Sequence, residues 1–108
     1  MKLLTKQIRK ILPPLYAQEN RGGEAIAYIK FFMPDNYCSA WYATEFDGHD
    51  IFFGLVVGFG KKLSHFSLKG LERIRGPESF SVERDTSWQP KPLKEIAPDL
   101  FINENERN

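Results

Sequence analysis

Four side chains with chemical capacity crowd into six positions of this chain: Glu45, Asp47, His49 and Asp50. Carboxylates at this density could hold a hard cation such as Mg²⁺ or Ca²⁺, and His49 would extend the set to a transition metal. As a pair they could also serve general acid–base chemistry. A second group, Glu83, Arg84 and Asp85, puts two carboxylates on one side of an extended segment and a guanidinium on the other. Two readings stay open for it. Arg84 ties the C-terminal segment to Glu45 or Asp50, or Glu83 and Asp85 join the other carboxylates in one acidic site. The first is favoured, because an arginine fork suits partly buried carboxylates. Neither group has the spacing of a dedicated metal motif, so no catalytic residue, metal or cofactor is assigned.

The element that positions the first group is a hairpin. Ala40–Gly60 is a dense aromatic and β-branched block without Lys or Arg, and Asp47-Gly48 divides it. Asp-Gly between alternating apolar runs predicts a two-residue turn, because such a turn needs positive φ at both positions. That turn pairs Phe46 with His49, Thr44 with Ile51, Tyr42 with Phe53 and Ala40 with Leu55 on one face. On the other it pairs Glu45 with Asp50, Ala43 with Phe52, and Trp41 with Gly54. Directly opposed carboxylates repel, so Glu45 and Asp50 need a neutralising partner, and Arg84 is the one expected. Both faces are apolar mid-hairpin, so the hairpin is covered on both sides or uses one side to bind.

Around it, Leu4, Ile8, Ile11, Leu12 and Leu15 recur at helical spacing behind Thr5 as N-cap, and Pro13-Pro14 ends that helix. Ala25–Met33 and Leu63–Phe66 read as strands. Ser67 caps a short helix, Leu68–Ile74, stopped by Gly76-Pro77. Ser81–Asp85 reads as an edge strand, Trp88 as an anchor, and Leu93–Ala97 as one helical turn. The fold expected is α+β: a three- or four-stranded antiparallel sheet with an N-terminal helix and a second short helix packed on it. One domain spans 1–97, and 98–108 is a polar C-terminal tail. The expected core is Leu4, Ile8, Leu12, Ile29, Phe31, Tyr42, Phe53, Leu55, Phe66, Leu71 and Ile74.

The net charge of +1 supplies no global field for nucleic acid or membrane. It hides segregation, however. Residues 1–30 carry six bases and two acids, 31–60 four acids and no base, 61–75 five bases and one acid, and 76–108 four bases and seven acids. Lys2, Lys6, Arg9 and Lys10 with Lys61, Lys62, Lys69, Arg73 and Arg75 could therefore track phosphates, with Tyr28, Tyr42 or Trp88 as stacking platforms. The ordinary alternative is the solvated face of two amphipathic helices. The single cysteine, Cys38, cannot form an intramolecular disulfide. With no run near ~20 apolar residues and no cleavage site, the chain is expected to be cytoplasmic, with no membrane partner.

Taken in order, these segments resemble a small bacterial family known only as domain of unknown function 2958. The likeness rests on Leu3-Leu4-Thr5-Lys6, Leu12-Pro13, Leu15-Tyr16, Glu19, Lys30-Phe31-Phe32, Pro34-Asp35 and Trp41–Gly48. It continues through Asp50, Phe52-Phe53-Gly54, Gly58-Phe59, Leu63, Phe66-Ser67-Leu68, Leu71-Glu72, Arg75-Gly76-Pro77, Val82–Asp85 and Pro92-Leu93. It spans roughly residues 3–96. Departures fall at Lys62–His65, where an acidic residue and then Leu-Gly-Tyr is usual, and at Gly70, where glutamate would complete a capping box with Ser67. The resemblance implies an association with plasmids and integrating elements and brings no activity.

With many aromatics and no assembled catalytic set, the leading expectation is a non-enzymatic accessory protein of a bacterial mobile element that binds a protein partner. The alternatives are a nucleic-acid-binding protein using residues 2–10 and 61–75, and a metal-dependent hydrolase using Glu45, Asp47, Glu83 and Asp85.

Overall fold

A computed structural model describes residues 2–102, apart from the side chains of Tyr37 and Cys38. The thiol of Cys38 and the polar end Asn103–Asn108 lie outside the described residues.

Seven strands alternate with short helical pieces: α1 (Lys6–Arg9), β1 (Ile26–Ala27), β2 (Ile29–Met33), β3 (Asn36–Phe46), β4 (Ile51–Val57), β5 (Lys61–Ser67), α2 (Leu68–Arg73), β6 (Glu83–Arg84), β7 (Lys91–Pro92) and α3 (Leu93–Ile96). The architecture is α+β, with five strands in the main sheet rather than three or four, in the order β5-β4-β3-β2-β6. All neighbours are antiparallel. β1 and β7 form a separate two-stranded ribbon. The segment expected as one strand, Ala25–Met33, breaks at Tyr28, whose N–H goes to the Ala43 carbonyl at 2.9 Å. The break lets one chain segment serve both sheets.

Helix ends follow side-chain chemistry. Thr5 Oγ1 accepts from Ile8 N at 3.2 Å and Ser67 Oγ from Gly70 N at 2.7 Å, which satisfies N–H groups that a helix start leaves orphaned. The first helix is shorter than its apolar spacing suggests and loosens into turns before Pro13.

The main sheet is covered on both faces. On one, α1 and α2 pack on a cluster built from Leu3, Leu4, Ile29, Phe31, Ala43, Phe46, Phe52 and Leu71. Phe52 is its centre, stacked against Phe46 at 4.5 Å and Phe66 at 5.2 Å between ring centroids. On the other face, Ala25, Ala27, Leu55, Leu93, Ala97 and Phe101 close a second cluster. Phe101 lies within the segment expected as tail, on a 3₁₀ turn over Pro98–Phe101. Leu4, Ile29, Phe31, Leu55 and Leu71 are buried as expected. Ile74 is not: it lies beyond α2 and stands 36 % exposed. Phe53 is only half-buried, while Phe46 and Phe52 take the core positions.

That exchange comes from the register. The turn at Asp47-Gly48 is longer than two residues: Asp47 N donates to Ile51 O at 2.9 Å, and four residues separate β3 from β4. The observed pairs are Ala40–Val57, Trp41–Val56, Tyr42–Leu55, Ala43–Gly54, Glu45–Phe53 and Phe46–Phe52, with the extra residue Thr44 forming a bulge. Glu45 therefore faces Phe53 and not Asp50, and Gly54 lies opposite Ala43 and not Trp41. A bulge reverses the alternation of side chains beyond it. It moves Phe46 into the α1/α2 cluster and Glu45 onto the opposite face.

Candidate functional site

On that opposite face a cavity of about 240 Å³ is lined by Tyr16, Gln18, Glu19, Gly22, Ala25, Thr44, Glu45, Phe53, Leu63 and Leu93. Its floor is a buried polar network. Glu45, 3 % exposed, accepts from Tyr16 N through Oε1 at 2.8 Å and from Gln18 N through Oε2 at 2.9 Å. Gln18, 5 % exposed, donates from Nε2 to Ile26 O at 3.1 Å and Thr44 O at 2.9 Å. Its Oε1 accepts from Ile26 N at 2.8 Å and from Arg21 Nη1 at 3.3 Å. All four hydrogen-bonding positions of that amide are used, which fixes its orientation. Thr44 Oγ1 donates to Phe53 O at 3.0 Å, turning the bulged residue to use.

The walls are aromatic and apolar. Tyr16 holds a positive φ of 72°, a strained conformation for a residue with a side chain. Its N–H bond to Glu45 helps to hold it there, and such strain persists only where the surroundings over-determine it. The His65 ring bridges the rim, 5.0 Å from Phe53 and 6.4 Å from Tyr16 between centroids.

The other residues singled out in the sequence are dispersed. Asp47 Oδ1 accepts from His49 N, Asp50 N and Ile51 N at 2.7, 2.8 and 3.0 Å, so it organises the turn. His49 is exposed there. Asp50 turns to α2, taking Lys69 N on Oδ1 at 2.9 Å and Leu68 N on its carbonyl at 2.8 Å. Glu83 and Arg84 form β6 on the far edge, opposite Phe32 and Phe31. The expected bridge from Arg84 to Glu45 and Asp50 gives way to another joint: Arg84 Nη1 donates to the carbonyls of Lys2 and Leu3, both at 2.8 Å. It ties the N-terminal segment to the sheet edge. Asp85 takes the Ser87 hydroxyl at 2.8 Å, and this bond chiefly holds its carboxyl below the ordinary aspartate range. Among the described residues no three of His, Cys, Asp and Glu converge to hold an ion.

The basic residues divide as well. Lys6, Arg9 and Lys10, at α1, and Lys69 and Arg73, on α2, are exposed on elements that share one cluster and so one face of the sheet. Arg9 also sits over the Phe46 ring at 5.5 Å. Arg75, just past α2, caps its end by donating to Glu72 O and Ile74 O. Lys61 and Lys62 lie at the other end of β5, about 20 Å away along the strand. Lys61 is paired with Asp99 at 3.2 Å.

Residues 3–97 match the model of a family described as Protein of unknown function (DUF2958). The chain belongs to that family. No curated protein and no solved structure matches it. The matched range contains every residue that lines the cavity. Of those residues, the sequence reading placed only Glu45 in a site. Tyr16 and Glu19 did carry a usable signal: each is part of the family likeness while sitting outside any helix or strand. Phe53, Leu63 and Leu93 belong to the same likeness but read as parts of strands and a helical turn, and Gln18 carried no signal; only the folded chain brings them to Glu45. Among the described residues no helix is long and apolar enough to cross a membrane.

The turn makes a pH prediction. N–H donors from Asp50 and His49, then Ile51, hold the Asp47 carboxyl below the ordinary aspartate range. A lowered folded-state pKa adds stability above the ordinary aspartate value, and that stability is lost as pH falls through the lowered value. Asp47→Ala is therefore expected to melt below the wild type at pH 7, with the gap closing at acid pH. A gap independent of pH would rule this out.

Proposed function

We propose that this member of the family is a non-enzymatic protein-binding module that takes an extended segment of its partner along β5, with one side chain of that segment entering the cavity. The observation that carries the reading is the position of Leu63. It belongs to the edge strand of the sheet, stands 41 % exposed, and lines the cavity. An edge strand presents a row of backbone donors and acceptors on its outer side. Adding a strand there supplies affinity through main-chain hydrogen bonds, and a neighbouring pocket supplies selectivity through alternate side chains. Three of the four carboxylates considered for catalysis are engaged, by backbone N–H groups at Glu45 and Asp47 and by Ser87 at Asp85. This supports binding over hydrolysis. The family likeness favours an accessory role in bacterial plasmids and integrating elements.

Peptides selected on the immobilised chain from a random display library test the reading. Selected binders are expected to slow amide exchange in β5 and to lose at least about tenfold in affinity on Leu63→Arg, as for removal of one well-buried anchor. Leu63→Arg should leave the melting temperature near that of the wild type. Binders indifferent to Leu63→Arg, with protection on α1 and α2 instead, would move the binding surface to the basic face.

A further inference from the structure

The cavity beside β5 has a sign. Two carboxylate-bearing residues, Glu45 and Glu19, line it, and among the described residues no Lys or Arg does. Glu45 is almost completely buried, and among the described residues it has no ion-pair partner. Its two oxygens accept one N–H bond each. A carboxylate has about four acceptor positions, so roughly half of its capacity is unspent. A buried charge without a counter-charge is costly, and a cation delivered into the cavity would recover part of that cost.

The surroundings suit a cation carried on an apolar stem. Phe53, Leu63, Leu93 and Ala25 offer the stem a greasy passage. Tyr16 and Phe53 line the cavity too, and aromatic rings attract ammonium and guanidinium groups. Lys61, two residues before Leu63 and on the same side of β5, has Asp99 as its partner. Arg21 donates to Gln18 Oε1 and so braces the floor from the side.

We infer that the cavity binds an alkylammonium or guanidinium group, supplied by a lysine or arginine side chain of the segment docked on β5. This rests on the strand-docking reading above. Glu45 and Glu19 provide the counter-charge, Tyr16 and Phe53 flank the cation, and Leu63 contacts the stem. Acidic side chains are excluded by the same charges.

The test uses the full chain in ¹H–¹⁵N correlation spectra. Four ten-residue peptides differ only at one central position (arginine, lysine, norleucine or glutamate), and free agmatine is titrated separately. The arginine and lysine peptides are expected to shift the amides of Tyr16, Gln18, Glu19 and Phe53. They should bind about tenfold tighter than the norleucine peptide, the scale of one charge-assisted hydrogen bond. The glutamate peptide should bind weakest. Glu19→Gln, at an exposed position that does not hold the fold, is expected to narrow the arginine–norleucine difference about threefold, as for a solvent-facing charge pair. If norleucine matches arginine at the cavity, the cation inference fails and strand docking stands. If neither agmatine nor any peptide shifts β5 or the cavity, both fail. If agmatine shifts the cavity amides and no peptide does, the cation chemistry holds and its source is a small amine.

Discussion

Gly54→Ala is expected to lower the melting temperature by roughly 15 °C or to prevent folding, for a loss of about 3 kcal/mol or more. A Cβ at Gly54 would lie 1.8 Å from the Tyr42 carbonyl oxygen, 2.9 Å from its carbon and 3.1 Å from Ala43 Cα. These are backbone atoms of the neighbouring strand, so no rotamer change relieves the overlap. The chain could escape only by moving Tyr42 and Ala43 away, which opens the ladder next to the Thr44 bulge. The damage would reach both faces, because that ladder puts Phe46 against Phe52 on one side and Glu45 under the cavity on the other. Deleting Thr44 removes the bulge while keeping Glu45 opposite Phe53 and Phe46 opposite Phe52. In the Gly54→Ala background this deletion is expected to recover part of the lost stability. Thermal melts of the single and double variants check both statements. A Gly54→Ala protein melting within about 3 °C of wild type, under 1 kcal/mol for a domain of this size, would refute them.

The same bulge marks where the sequence stopped being legible. Local signals survived: Thr5 and Ser67 cap their helices, and Asp47-Gly48 does sit at the β3–β4 connection. Each depends on neighbours within a few residues. Register depends on what lies across the sheet. Asp47 was read as half of a two-residue turn, but its carboxylate gathers three successive N–H groups and so builds a longer loop. One bulge then reversed the alternation of the strand and moved Glu45 from a tip to an interior floor. Gly54 was the available clue. The two-residue turn pairs it with Trp41, whereas it makes room for the carbonyl of Tyr42. The Arg84 joint was out of reach for a related reason. Its acceptors are backbone carbonyls of Lys2 and Leu3, which have no side-chain signature.

Glu45→Gln should cost about 3 kcal/mol, near 15 °C in melting temperature, although it changes a single atom type. In the wild type, both oxygens act as acceptors for N–H groups of one loop, from Tyr16 and Gln18. A carboxamide has one acceptor oxygen and one donor nitrogen, so either Tyr16 N or Gln18 N would face an NH₂ group. Flipping the amide only exchanges which donor is orphaned. The loop cannot turn away cheaply, because Gln18 is locked to Ile26 and Thr44 by its own side chain. Tyr16 sits at φ 72° partly because Glu45 holds its N–H. Without that bond the strain has less to oppose it, and the loop over residues 14–18 should loosen first. Faster amide exchange at Tyr16 and Gln18 is therefore expected even at temperatures where the β3–β4 ladder remains protected. If Glu45→Gln melts with the wild type and exchange at these two amides is unchanged, the carboxylate does not hold the loop. The cavity would then lack the rigid floor that ligand selection on this face requires.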